Sequence, residues 1–153
     1  MREIIVGLLV GLGAGAPLFA ATRQVPAQYS SIQAALDAAA VGDTVQVAAG
    51  TYTQNLSITK SGLIVQGNPG LTVVKGDGSN AVIRCTGVNS CTISGLSIRD
   101  GLIGVDVVTA GVSMAECRIE FCLSNISGIG IRAQNSEVQL TDSYLASCGR
   151  GIE

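Results

Sequence analysis

The sequence predicts an all-β coil in which one repeating strand unit is stacked on itself, and three observations point to it. Ile93–Ile98 (ISGLSI), Met114–Ile119 (MAECRI) and Leu140–Leu145 (LTDSYL) superpose, with apolar or small residues at the first, fourth and sixth places. Their starts lie 21 and 26 residues apart, a period at which a structural unit stacks on its own copy. Each copy leads to a glycine-marked second strand: Ile103-Gly-Val-Asp-Val107, Ile129-Gly-Ile-Arg-Ala133 and the short Gly151-Ile152. Strands this short are unstable alone, whereas stacked coils bury one another's apolar rows.

The remaining elements follow in chain order. Met1–Ala21 reads as a secretory signal, with Arg2 as its positive region, the apolar run Ile4–Phe19, and small residues for cleavage at Leu18-Phe-Ala20 or Phe19-Ala-Ala21. That run of 16 residues contains four glycines and is short for a membrane span of roughly 20. The expectation is export to the periplasm or the medium, with no membrane attachment after cleavage. Ser30-Ser-Ile-Gln33 has the pattern of a capping box, and Ile32, Ala35, Leu36 and Ala39 give one apolar face of a short helix. Gly42-Asp43 ends it. Thr44–Val47, Asn55–Ile58, Leu63–Val65, Thr72–Val74 and Ala81–Cys85 then read as short strands closed by glycine or polar turns. Lys75-Gly-Asp-Gly78 is one such turn; it has no following helix to make it a phosphate loop.

The register of the repeats predicts charge ladders. Arg99 stands over Glu120 and Asp106 over Arg132, so opposite charges alternate between coils about 4.8 Å apart. Composition narrows the function. The 153 residues carry a formal charge of −2, only 13% are charged, and the two lysines and seven arginines are scattered, which argues against a nucleic-acid partner. Histidine is absent, which removes Ser-His-Asp and Cys-His catalysis and His-ligated zinc. Five cysteines in an exported chain allow disulfides with one left over. Cys117 aligns with Leu96 and Ser143 at an inward place. Cys122 and Cys148 share a corner of successive coils, and Cys85 and Cys91 bracket a short loop, Thr86–Ser90, that a bridge would close. The second pair is the favoured bridge.

Tyr29-Ser-Ser-Ile-Gln-Ala-Ala-Leu-Asp-Ala-Ala39, Gly42-Asp-Thr-Val-Gln-Val47, Gly50-Thr-Tyr52, Asn55-Leu-Ser-Ile58 and Lys60-Ser-Gly62 together resemble the opening segment of the pectin-lyase-like superfamily. These are secreted right-handed parallel β-helix proteins, among them pectate lyases, pectin methylesterases, polygalacturonases and alginate epimerases. The resemblance implies an all-β, right-handed parallel β-helix with a short N-terminal capping α-helix, occupying residues 22–153. It also implies action on, or binding of, an acidic polysaccharide such as pectin or alginate. A non-catalytic glycan-binding, adhesin or structural repeat protein is the alternative, and one scaffold hosts all of these. The chain stops inside a strand with no polar cap after Glu153, so residues 22–153 are expected to be the N-terminal four to five coils of a longer domain.

Family sites can be checked position by position. Polygalacturonase-like members carry an Asp-Asp pair between a glycine corner and a Gly-Ile strand, one carboxyl as acid and one activating water. Leu102 and Ile103 stand at those places here, and the methylesterase segment Gly-Tyr-Gln-Asp-Thr-Leu is missing. No catalytic residue is assigned, and whether the protein is an enzyme stays open. Calcium-dependent lyases need clustered carboxylates; Glu116 over Asp142, at equivalent corners of adjacent coils, is the candidate metal pair, with calcium as the one cofactor it suggests. Two solvated corner residues are the plainer reading of that pair. Asp100 with Arg99 and Glu120 reads as a further charge ladder. No other cofactor is evident, and the oligomeric state is left open.

Overall fold

The computed structural model describes residues 20–120, 128–146 and 148–153. They form a parallel β-helix of about six coils with one short helix. Each full coil contributes one strand to each of three parallel sheets. The first sheet holds β1 (Thr22–Val25), β2 (Thr44–Val47), β5 (Leu63–Gln66), β8 (Cys91–Ser94), β11 (Gly111–Ala115) and β14 (Glu137–Thr141). The second holds β3 (Gly50–Thr53), β6 (Thr72–Lys75), β9 (Ser97–Arg99), β12 (Arg118–Glu120) and β15 (Tyr144–Ala146). The third holds β4 (Leu56–Ile58), β7 (Ala81–Thr86), β10 (Ile103–Val108), β13 (Ile129–Gln134) and β16 (Arg150–Ile152). Among the described residues no helix is long and apolar enough to cross a membrane.

The inward rows explain why these residues stack. Val65, Ile93, Met114 and Leu140 pair successively in the first sheet, and Ile83, Val105 and Ile131 in the third. In the second, Val74, Ile98, Ile119 and Leu145 form one column, fully buried as far as Ile119 and half-buried at Leu145 in the last coil. The register expected from the repeats is therefore the register found. Each repeated hexapeptide turns out to be a corner joining two strands rather than a single strand, for example β8 and β9. In three successive coils that corner holds a left-handed residue. Gly95 takes it at φ 64°, where a Cβ would lie 2.6 Å from the Gly67 carbonyl oxygen, while Glu116 (φ 52°) and Asp142 (φ 47°) take it in the next two coils. Such conformations cost side-chain-bearing residues about 1 kcal/mol or more, so the corner is held by the coils around it.

Two expectations are corrected. The first sheet has six strands, not the four to five coils expected, because β1 precedes the helix and pairs with β2 residue for residue. The helix, α1 (Ile32–Ala38), is capped by Ser31, whose hydroxyl accepts from the Ala34 amide at 3.1 Å. Gln33 does not close a capping box. Its carboxamide accepts from the Ser57 amide at 2.9 Å and so pins the helix to β4. Ile32, Leu36 and Ala39 are buried as expected, Asp37 lies in water, and Gln33 is only half exposed. From the following coil the Lys60 ammonium donates to the Asp37 and Ala39 carbonyls at 2.5 and 2.8 Å, satisfying the helix C-terminus.

Asp43 locks the opening coil. Its buried carboxylate accepts from the amides of Ala21 and Ala40, each at 2.8 Å, and pairs with Arg23 at 2.7 Å. The two backbone donors lead in lowering its pKa to about 2, and Arg23 adds to them.

Candidate functional site on the third sheet

Strand alternation points every second residue of β4, β7, β10 and β13 outward. Ser57, Arg84, Asp106 and Arg132 are register partners in successive coils and so form one outward row. Beside it, the turns that join the second sheet to the third contribute Asn55, Asn80 and Leu102. Together these residues line a groove of about 450 Å³, with Ile103 in its wall.

The row is held by one carboxylate. Asp106 is 1% exposed, and Arg132 grips it with two parallel bonds, Nε to Oδ1 and Nη2 to Oδ2, both 2.8 Å. From the other side Arg84 Nε lies 3.1 Å from Oδ2. The hydrogen bonds to Asp106 raise the Arg132 pKa above its ordinary value. One negative and two positive groups leave the row with a net positive charge. The Arg84 side chain is 57% exposed, and among the described residues its terminal Nη groups have no protein partner. A guanidinium fork held this way can take a carboxylate in two parallel hydrogen bonds.

The expected residues fall as follows. Asp106 over Arg132 is confirmed and lies in the groove. Leu102 and Ile103, where the resemblance would place hydrolase acids, also line it, so the groove occupies that position without the acids. Arg99 over Glu120 is confirmed on the second sheet: Glu120 is 6% exposed, pairs with Arg99 at 3.5 Å and also with Arg118, while Lys75 lies 3.5 Å from Asp100. Glu116 and Asp142 do stand at equivalent corners, one residue beyond the paired Ala115 and Thr141, and both are exposed. Those corners join the first sheet to the second, away from the groove. Calcium takes six to eight oxygen ligands, and among the described residues no group of three or more His, Cys, Asp or Glu is placed to hold a metal. Cys117 is a core residue, 2% exposed, as its inward place required. Cys85 and Cys91 are buried as free thiols rather than bridged. The pairing of Cys122 with Cys148 lies outside the described residues at Cys122, and so does nearly all of the expected signal segment. Arg84 was missed by sequence reasoning, although laying Ala81–Cys85 over Ile103–Val107 would have put it over Asp106.

No protein-family model matches the chain, and no curated protein matches it. Among solved structures it is similar to the crystal structure of an alginate lyase from Paenibacillus sp. str. FPU-7, with a TM-score of 0.60 and 15% sequence identity. The alignment covers 86% of this chain and 68% of that one. At that identity the likeness establishes the parallel β-helix fold.

Proposed function

We propose that the chain is an exported member of the pectin-lyase-like superfamily whose third-sheet groove binds an acidic polysaccharide. The observation that carries this reading is the Arg84–Asp106–Arg132 row. The two arginines spring from strands two coils apart and converge on the Asp106 carboxylate between them, on the wall of a groove that also offers Asn55 and Asn80 as hydrogen-bonding groups. A uronate chain in the groove would present a carboxylate to the exposed Arg84 fork and to the net positive charge of the row, and a neutral glucan would present none. The alginate lyase of similar fold supports the same class of ligand.

The groove supplies half of what an elimination on a uronate requires. A cation that pairs with the sugar carboxylate is present in Arg84. A free base is not, because both oxygens of Asp106 are engaged by Arg132 and the arginines stay protonated. Among the described residues the groove therefore offers groups for binding and no free base for cleavage.

Calorimetric titration with alginate and polygalacturonate oligomers, beside a neutral glucan, tests the reading. Arg84→Ala is expected to weaken binding about 10- to 100-fold, from the loss of a charge-assisted contact of roughly 1.5–3 kcal/mol. Its melting temperature should stay close to that of the parent, since Arg84 is exposed. Equal affinity for acidic and neutral oligomers, or an Arg84→Ala variant that binds as tightly as the parent, would refute the groove as an anionic-glycan site.

A further inference from the structure

We infer that Ala20–Ala21 is the bond at which the leader is cut, and that the α-ammonium freed on Ala21 is held by the buried carboxylate of Asp43. This rests on the proposed export of the chain and not on the groove. Ala20, Ala21 and Thr22 are all exposed, and the small residues that a leader peptidase needs allow a cut after Ala20 or after Ala21. The fold distinguishes the two. The Ala21 amide donates to Asp43 Oδ1 at 2.8 Å, and the Ala21 carbonyl accepts from the Thr44 amide at 2.9 Å, where β1 begins to pair with β2. A cut after Ala21 would remove both partners, leaving a buried carboxylate oxygen and a strand amide without them. A cut after Ala20 keeps both.

The cut also strengthens the first of these contacts. On the peptidase, water attacks the Ala20 carbonyl and the C–N bond to Ala21 breaks. The water oxygen goes to the Ala20 carboxylate and both its hydrogens to the Ala21 nitrogen, which becomes an ammonium. A neutral donor 2.8 Å from the carboxylate is thereby replaced by a charged one at a charge-assisted distance. The carboxylate has room for it. Arg23 and the Ala40 amide both bind Oδ2, at 2.7 and 2.8 Å, and among the described residues the Ala21 nitrogen is the donor to Oδ1. Arg23 is engaged elsewhere too, its Nη1 donating to the Tyr29 hydroxyl at 2.8 Å. Among the described residues Asp43, Arg23 and, behind Arg23, Tyr29 are the titratable groups that face the new amine. Because Ala21 is exposed, the remaining ammonium hydrogens stay hydrated, and two cations can share one carboxylate.

The experiment expresses the full chain in a bacterium with a general secretion pathway and sequences the N-terminus of the exported product. The expected sequence is Ala21-Thr-Arg-Gln-Val25. An exported product that starts at Thr22, or at any other residue, would overturn the assignment while leaving export intact. An uncut chain retained in the cytoplasm would refute export and the cut together. Labelling of the exported protein with an amine-reactive reagent at pH 7 then reads the ion pair, with the half-exposed Lys75 as internal reference. Each unit by which the carboxylate raises the amine's pKa above its ordinary value of about 7.7–8.0 slows labelling about tenfold. The Ala21 amine of the folded protein should label about 5- to 10-fold more slowly than in guanidinium chloride, and Asp43→Asn should remove most of that protection. Equal labelling of the folded and denatured parent, which needs no variant to fold, would overturn the ion pair. So would full protection retained in a folded Asp43→Asn protein.

Discussion

Truncating the second-sheet column should cost most in the middle of the coil stack and least at its end. Ile119 is fully buried between Ile98 on one side and Leu145 on the other. Ile119→Ala removes three carbons, about 2.4 kcal/mol of transfer free energy at ~0.8 per carbon. A residual void of roughly 50 Å³ adds about 1.2 kcal/mol at the measured cost per volume. The expected loss is roughly 3.5 kcal/mol, or a fall in melting temperature of about 10–15 °C. Leu145 has the same register but is only half-buried, because no described coil covers it. Water fills the space its side chain leaves, so Leu145→Ala should cost only about 1 kcal/mol, roughly a 4 °C fall. Denaturant unfolding followed by far-ultraviolet circular dichroism measures both losses, with m-values checked for equality. Equal costs at the two positions would refute the argument, since a stacked coil requires stability to grow with the number of covered faces.

Two further outcomes follow from the charged groups. Asp43 titrates near pH 2 in the folded chain, below the unfolded value of about 3.9, so its contribution is complete above about pH 4 and is lost as the pH falls toward 2; Asp43→Asn should flatten the melting temperature across that window, and an unchanged acid slope would exclude Asp43 as its source. Calcium titrated into the protein should bind no tighter than about millimolar, because Glu116 and Asp142 supply two carboxylates where six to eight ligands are wanted; tighter binding that disappears in Asp142→Asn would establish the corner as a metal site.

The legible parts of the fold were those set by local periodicity. Alternation within each strand decides which face is buried, and a slip of one residue would turn Ile93, Met114 and Leu140 outward together. That is why the stacks of Val105 on Ile131 and Arg99 on Glu120 could be read in advance. The illegible parts join residues far apart in sequence through side chains of no periodic meaning. Lys60 reaching back to the end of α1 is one, and Asp43 tying Ala21 and Arg23 to the opening coil is another. The count of coils was short for the same reason: Thr22–Val25 carries no repeat signature and becomes a strand only by pairing with Thr44–Val47.

Sequence by itself determined the parallel coil, its inward rows and the ladder position of Asp106, because each follows from spacing along one chain direction. Tertiary structure decided the groove. Arg84, Asp106 and Arg132 lie 22 and 26 residues apart, and only their stacking turns three scattered charges into one row with a buried carboxylate at its centre. A charge takes its meaning from what neutralises it, and in a coiled chain those neighbours come from the coils on either side.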